Sequence, residues 1–176
     1  DSDPIANVGS WSSGGDLNDA RRDMGSSGTQ TSNLVFGGDT PPVTNNVESY
    51  NGTAWTETHE LNTARWRLGG AGASNTSAIA FGGGTAPTTA VDNVETYNGS
   101  SWSETTEINT ARMYIGSLGQ SSTAALGADG YTSTNVQATE QWNGSSWSEV
   151  GDLNTTRRSS RGAGTSTSGL MAGGIT

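Results

Sequence analysis

The chain has 176 residues, 17 of them acidic and 8 basic, and a formal net charge of −9 at pH 7. This acidity argues against a nucleic-acid partner, because phosphate binding requires a basic face. The lack of cysteine excludes disulfides and thiol chemistry, and a single histidine leaves no basis for an imidazole metal site, so neither a metal nor a cofactor is expected. No apolar segment approaches the roughly 20 residues that span a bilayer, so membrane insertion is not expected either.

One unit of sequence occurs four times along the chain. In each copy a Trp tract runs into an acidic residue, Leu or Ile, Asn, and an Arg four residues after the aliphatic residue. The tryptophans are 44, 47 and 45 residues apart, and 40 residues remain if the C-terminus is joined to the N-terminus. A fixed period in this range is typical of repeat architectures, and the closing interval favours a ring. The repeated aromatic and basic residues are Trp11, Trp55, Trp102 and Trp147, and Arg21, Arg65, Arg112 and Arg157.

Each repeat predicts four short strands in the same order. A Gly-rich stretch such as 66–72 follows the Arg, and a small apolar run ending in paired glycines, as in 79–83, comes next. A Val-Glu-Ser/Thr-Tyr segment follows, at 47–50 and 94–97, and the Trp segment closes the unit. Runs of this length and alternation between turn signals are typical of strands.

An Asn-Gly pair separates the third and fourth segments, at Asn51, Asn98 and Asn143. Asn-Gly tolerates two successive residues at positive φ, which favours a tight hairpin and makes the two segments antiparallel neighbours. Four antiparallel strands per repeat, arranged around an axis, describe a propeller blade. The expected fold class is therefore all-β, a small β-propeller of about four four-stranded blades.

Paired glycines, a Glu-x-Tyr segment and a Trp five residues beyond the Tyr resemble the kelch repeat over essentially the whole chain. The Leu-Asn-Thr-Ala-Arg and Tyr-Asn-Gly-Ser-Ser-Trp tracts resemble, more narrowly, the low-complexity kelch-like arrays encoded by marine bacteriophages. This resemblance implies a kelch-like propeller in a structural or appendage protein of a phage particle. The Asn-Gly hairpin is shorter than the excursion of the usual kelch blade, which favours the phage-like variant.

One propeller domain is expected over 1–176. Pairing of N- and C-terminal strands within the last blade would close the ring, but alignment on Trp11 puts Pro4 where the other repeats have Glu, and Ala6 where they have Tyr or Trp. Either the closing blade is irregular, or the chain is a piece of a longer array whose first repeat has been cut. The approximate blades are 12–55, 56–102, 103–147 and 148–176, the last completed by 1–11.

The four repeated arginines are interpreted as structural. Their guanidinium groups are expected to reach carboxylates or carbonyls, because buried charges are retained when they are paired. Three glutamates at one repeat position can form ion pairs with these arginines, so one of the four arginines must have a different partner. The alternative is a ring of guanidinium groups that binds an anion on one face. The three glutamates are Glu48, Glu95 and Glu140.

The connections that follow the paired glycines vary between repeats. Up-down topology puts them on the same face as the Leu-Asn-Thr-Ala-Arg connections, and binding residues tend to lie on loops that a rigid scaffold displays. The candidate ligand-binding residues are Trp66, Tyr114, Asp129 and Tyr131, and the three aromatics are candidate platforms for a sugar. The variable connections are 39–46, 84–93 and 129–138.

Three functions compete. The first is a non-enzymatic display or structural module of a phage particle, such as a fibre, tail appendage or capsid-attached domain. It would lie in the virion or outside the cell and contact other virion proteins or a host-surface glycan or protein. A carbohydrate-binding propeller is the alternative. A glycan hydrolase ranks below both, because its candidate acid–base pairs, Glu57 with Glu60 and Glu104 with Glu107, recur in register between repeats, which indicates solvated positions. A homo-oligomer is also possible, since two chains could pool blades into a larger ring.

Overall fold

The computed structural model describes residues 13–176, which contain strands, turns and loops but no helix. The expectation of an all-β chain is confirmed. This part of the chain therefore contains no helix that is long and apolar enough to cross a membrane. The strands pair antiparallel, in three four-stranded sheets, one two-stranded sheet and one short hairpin.

Each of the first three sheets is built from one repeat, with the Gly-rich strand at one edge and the Trp strand at the other. The first sheet consists of β1 (Gly25–Thr29), β2 (Ser32–Phe36), β3 (Val47–Tyr50) and β4 (Trp55–Thr58). The second repeat contains β5 (Gly69–Ser74), β6 (Ser77–Phe81), a hairpin of β7 (Gly84–Ala86) and β8 (Thr89–Ala90), β9 (Val94–Tyr97) and β10 (Trp102–Glu104). The second sheet has the order β5, β6, β9, β10. The third sheet consists of β11 (Gly116–Ser121), β12 (Ala124–Ala128), β13 (Thr139–Trp142) and β14 (Trp147–Glu149), and the fourth of β15 (Arg161–Thr165) and β16 (Ser168–Ala172).

The Asn-Gly turns join the third and fourth strands as hairpins, but their loops are longer than the sequence predicts. The first loop, 51–54, holds four residues. The side-chain oxygen of Asn51 accepts hydrogen bonds from two backbone N–H groups of this loop, at 2.9 and 3.0 Å, while Gly52 has a φ of 95°. The turns at Asn98 and Asn143 repeat this geometry. A loop capped by the Asn side chain therefore makes the turn, in place of two successive residues at positive φ.

Neighbouring sheets pack on each other through aromatic side chains. Trp102 of the second sheet lies against Phe36 of the first, with ring centroids 5.2 Å apart, and Trp147 of the third sheet lies 4.9 Å from Phe81 of the second. All four rings are buried. Aromatic side chains bury about 150–250 Å² each, so these contacts supply much of the core of a chain that is only 30% hydrophobic. The core lies between the sheets.

The first strands of the four sheets lie side by side, and we call them the axial strands. β1 packs on β5, β5 on β11, and β11 on β15. Glycines permit this approach: a Cβ on Gly70 would lie 2.8 Å from the carbonyl oxygen of Ser26, and a Cβ on Gly162 would lie 2.6 Å from that of Ser117. The Gly-rich composition of these strands is thus required by the short distance between their backbones.

The row of sheets does not close on itself within residues 13–176. No comparable packing joins β15 to β1 there. The N–H group of Arg67 donates to the carbonyl oxygen of Asp23, that of Tyr114 to Arg67, and that of Ser159 to Tyr114, at 2.7–2.8 Å, so each sheet is bonded to the next. A bond from the Asp23 N–H to the Ser159 carbonyl oxygen would close this series, and the described chain does not contain it. The predicted completion of the last blade by 1–11 lies outside the described residues.

Candidate functional site

The variable connections and the connections between sheets lie on one side of the sheets, which we call the loop face. Backbone hydrogen bonds join the two kinds of connection. The N–H groups of Leu61, Ile108 and Leu153 donate to carbonyl oxygens of the variable connections at 3.0, 3.1 and 3.1 Å. The opposite face carries the Asn-Gly turns and the turns between the first and second strands of each sheet.

In the first three units, the repeated arginine attaches the connection to the third strand of the sheet that follows it. Arg65 donates to the Glu95 carboxylate at 2.8 Å and to the carbonyl oxygens of Gly82 and Asn93 at 2.9 and 2.7 Å. The second Glu95 oxygen accepts the Asn62 N–H at 2.7 Å, and both charged side chains are fully buried. Burial lowers the pKa of the Arg65 guanidinium, and the neighbouring Glu95 carboxylate opposes that shift.

The first and third sheets contain the same arrangement. Arg21 donates to Glu48 at 2.7 Å, and Arg112 is bonded to Glu140. Arg157, in the fourth unit, donates instead to a backbone carbonyl oxygen at 2.6 Å. Because the guanidinium groups of the first three units are buried against glutamates, this geometry favours the structural interpretation over an anion-binding ring.

A different pair of arginines stacks with aromatic rings on the loop face, and we call this group the stacked cluster. The Arg67 guanidinium lies 3.3 Å from the ring centroid of Trp66 and 4.2 Å from that of Tyr114. The Arg158 guanidinium lies 5.5 Å from the Tyr114 ring and 5.1 Å from the Tyr131 ring. Two cations thus alternate with three rings, and each such contact stabilises the group by about 0.5–1 kcal/mol where it is exposed.

Three of the four predicted ligand-binding residues meet in the stacked cluster, although they occupy different positions of the repeat. Tyr114 and Tyr131 are partly exposed, and their rings stand edge to face with centroids 6.4 Å apart. Trp66 is only 7% exposed and is covered by Arg67, so it does not offer the open platform expected of it. Tyr114 and Tyr131 are therefore the aromatic surfaces that a ligand can reach.

Arg67 and Arg158 are functional candidates that sequence reasoning missed. Each lies one or two positions after a repeated arginine, in Arg65-Trp66-Arg67 and Arg157-Arg158. This second arginine could have indicated a functional residue from the sequence. Each repeat supplies at most one glutamate to pair with its repeated arginine, so the second guanidinium must make other contacts.

Asp129, the fourth predicted ligand residue, lies in the interior. It occupies the position of the first paired glycine, with a φ of 56° where Gly82 has 59°. Its carboxylate is fully buried and accepts the N–H groups of Gly116 at 2.7 Å and Ser160 at 3.1 Å. Burial raises the pKa of Asp129, and these hydrogen bonds oppose the shift. This position gives Asp129 a structural role, joining the third sheet to the segment before β15, in place of the expected ligand contact.

Two cavities lie along the axial strands. The larger, of about 580 Å³, is lined by all four strands and has Arg22 and Arg161 among its lining residues. The smaller, of about 30 Å³, lies where these strands begin, and its lining includes Asp23, Arg67, Tyr114 and Arg161. A volume of about 30 Å³ is the share of one water molecule in the liquid, so only a small group of a ligand enters there.

Within residues 13–176, no group of three or more His, Asp or Glu side chains is placed to hold a metal ion. Comparison with protein-family models and with curated proteins finds no match. Inference about function therefore depends on the geometry of the loop face.

Proposed function

We propose that this chain is a non-enzymatic binding and display module whose contacts are made by the loop face. The stacked cluster carries the proposal, because residues that do not recur between repeats gather there beside the variable connections. In the first three units the repeated arginine and glutamate are already used by the scaffold, as Arg65 is by Glu95. A rigid scaffold that displays variable loops is a common way for proteins to position binding residues.

The proposed setting is a phage virion, where the module would be a fibre, tail appendage or capsid-attached domain. The resemblance to kelch-like phage arrays supports this setting, as does a surface rich in Ser, Thr, Asn and Gly. The partners would be other virion proteins or a glycan or protein of the host surface.

The proposed finer fold is a four-bladed kelch-like propeller in which 1–11 completes the fourth blade. A cavity of about 360 Å³ between the third and fourth sheets supports it. Leu126 and Leu153 line this cavity, and they occupy the repeat positions of Leu34 and Leu61, which belong to the core between the first and second sheets. The cavity between the third and fourth sheets and the core between the first and second sheets are therefore lined by equivalent leucines.

In the core between the first and second sheets, Trp102 packs beside those leucines. Its repeat equivalent is Trp11. In the fourth unit Leu170 is 71% exposed and Ile175 is 54% exposed, which leaves apolar surface for a further strand to cover. From the spacing of the repeats, we propose 1–11 as that strand.

Deletion of 1–11 tests this fold. If the segment pairs with β16, the deletion speeds hydrogen exchange of the β16 amides and lowers the melting temperature, while the amides of β9, central in the second sheet, exchange as before. Unchanged exchange in β16 would exclude the pairing.

Mass spectrometry of density-purified particles from the source of the gene tests the virion setting. Peptides of the chain should co-purify with the major capsid protein. Their absence from intact particles would overturn the setting, while the proposal of a binding module would stand on the next experiment.

Binding of the labelled domain to host cells tests the loop face. Tyr131→Ala should reduce binding, whereas Thr53→Ala, at an exposed Asn-Gly loop on the opposite face, should not. Equal binding of both variants would reject the loop face as the contact surface.

The alternative function is a carbohydrate-binding propeller. The partly exposed rings of Tyr114 and Tyr131 favour it, because a sugar can pack its C–H face on an aromatic ring. A glycan array with the purified domain should then show saturable binding, and silence across bacterial surface sugars would count against this function.

A further inference from the structure

The eight basic residues of the chain are all arginines, and the fold divides them into two sets. One set comprises the four repeated arginines. The members of the other set lie at the loop-face end of the axial strands, either in the stacked cluster or in the lining of the two axial cavities. Basic charge that the repeats do not use is thus gathered at one end of the molecule. These residues are Arg22, Arg67, Arg158 and Arg161.

Within residues 13–176, salt bridges join only half of this set to carboxylates. Asp39 accepts from Arg22 at 2.6 Å, and Asp23 accepts from Arg67 at 3.3 Å. Arg158 and Arg161 form no salt bridge within residues 13–176. Salt bridges among the described residues therefore pair two of these four arginines with carboxylates.

Screening limits the distance over which the negative charge of the chain acts. At physiological ionic strength the Debye length is about 8 Å, so carboxylates farther than this from Arg158 and Arg161 are largely screened from a ligand bound there. A small anionic group at these two arginines therefore experiences mainly the charges within that distance.

Arg158 is held in place and still has donors to offer. One of its terminal nitrogens donates to the Asn135 side-chain oxygen at 2.9 Å, and its guanidinium stacks near Tyr114 and Tyr131. Its remaining N–H groups have no acceptor among the described residues. A cation that is held by a hydrogen bond and by two neighbouring rings, and that has further donors free, is preorganised to bind a carboxylate.

The two tyrosines add a second kind of contact. The hydroxyl groups of Tyr114 and Tyr131 make no hydrogen bond to another described residue, and both rings are partly exposed. Hydroxyl groups, an aromatic face and a guanidinium edge within one small area match the hydroxyl groups, the C–H face and the carboxylate of an acidic sugar.

We propose that the stacked cluster and Arg161 bind an acidic saccharide, with its carboxylate on Arg158 and its ring against Tyr131. This assignment rests on the proposed binding function of the loop face and names the ligand class that the face recognises. The 30 Å³ cavity beside Arg161 admits only a group the size of one water, so the sugar ring does not enter that cavity.

Calorimetric titration with an oligogalacturonate tests the proposal, with the fully methyl-esterified oligosaccharide as the matched neutral probe. The acid should bind, the ester should bind at least tenfold more weakly, and added salt should weaken binding of the acid. Arg158→Gln should weaken binding of the acid about tenfold or more, since a hydrogen bond to a charged group is lost.

Gln30→Glu is the matched control variant. It makes the same change in net charge, but at an exposed turn on the opposite face, so binding should change less than twofold, because screening weakens distant charges. The melting temperature of each variant reports whether it remains folded, and Arg161→Gln provides a second variant if Arg158→Gln does not.

Equal binding of the acid and its ester would overturn the proposal, as would wild-type affinity in both arginine variants or no binding of either probe. Binding of dextran sulfate that is as tight as that of the acid and insensitive to Tyr131→Leu would identify a nonspecific polyanion patch and would also overturn it. The proposed binding function fails separately, if Tyr131→Ala leaves attachment to host cells unchanged.

Discussion

Replacement of Glu95 by Ala tests how the scaffold uses its buried charges. Glu95 and Arg65 are both fully buried, with 2.8 Å between their charged atoms. At an effective dielectric constant of about 20, two unit charges at that separation attract each other by roughly 6 kcal/mol, which offsets the cost of removing both from water. Truncation of Glu95 leaves the guanidinium buried with only backbone carbonyl oxygens as acceptors.

The expected loss of unfolding free energy is about 3–5 kcal/mol, the range for a buried pair that loses one partner. The Asn62 N–H, which also loses its acceptor, adds little because Asn62 is exposed and water can replace the carboxylate. Urea unfolding, followed by both circular dichroism and tryptophan fluorescence, measures the change. A loss of this size is a large share of the about 5–15 kcal/mol that stabilises a typical protein.

Two further variants isolate the cause. Glu107→Ala removes an exposed carboxylate that forms no hydrogen bond with Arg65 or Glu95, and it should change the unfolding free energy by less than about 0.5 kcal/mol. The double variant Arg65→Met, Glu95→Leu should recover most of the loss, since no unpaired charge remains. A double variant as unstable as Glu95→Ala would refute the reasoning from burial of charge.

The remaining predictions concern Asp129 and the axial strands. Burial raises the pKa of Asp129, so the folded protein binds this proton more tightly than the unfolded chain, and stability should fall as pH rises from the ordinary carboxyl range through the raised value. In Asp129→Gly that part of the pH dependence of the urea midpoint should disappear; parallel curves for the two proteins would contradict it. Gly70→Ala should destabilise by about 1–3 kcal/mol, because the new methyl group would lie 2.6 Å from the Phe36 ring and 2.8 Å from the Ser26 carbonyl oxygen. Gly151→Ala, with no atom within 4 Å, should shift the melting temperature little, and equal effects of the two alanines would disprove close axial packing.

Much of the sheet architecture could be predicted because it follows from short-range signals. Each repeat places a Gly-rich segment, an apolar run, a Val-Glu-x-Tyr segment and a Trp segment in order, and turn residues separate them, so pairing of neighbours in sequence follows. The turn geometry itself could not be read this way. Asn51 accepts hydrogen bonds within a four-residue loop, and the choice between that loop and a two-residue turn depends on the register of the flanking strands.

The candidate site was only partly predictable. Tyr114 and Tyr131 could be selected as aromatics outside the repeat pattern, but their contact through Arg158 joins the connection before β11, the loop after β12 and the connection before β15. The outcome for Asp129 is the opposite. Its place on a variable loop predicts a ligand-binding residue, but in the fold its carboxylate points inward and accepts hydrogen bonds from two backbone N–H groups.

Periodicity in the chain was enough to specify strands, their order and a set of recurring charged positions, since each depends on interactions within one repeat. The stacked cluster, the inward position of Asp129 and the close approach at Gly70 depend on how one sheet packs on the next. Only tertiary structure could decide them, because side chains from different repeats meet where the distance and angle between sheets bring them together, and no local pattern encodes that distance or angle.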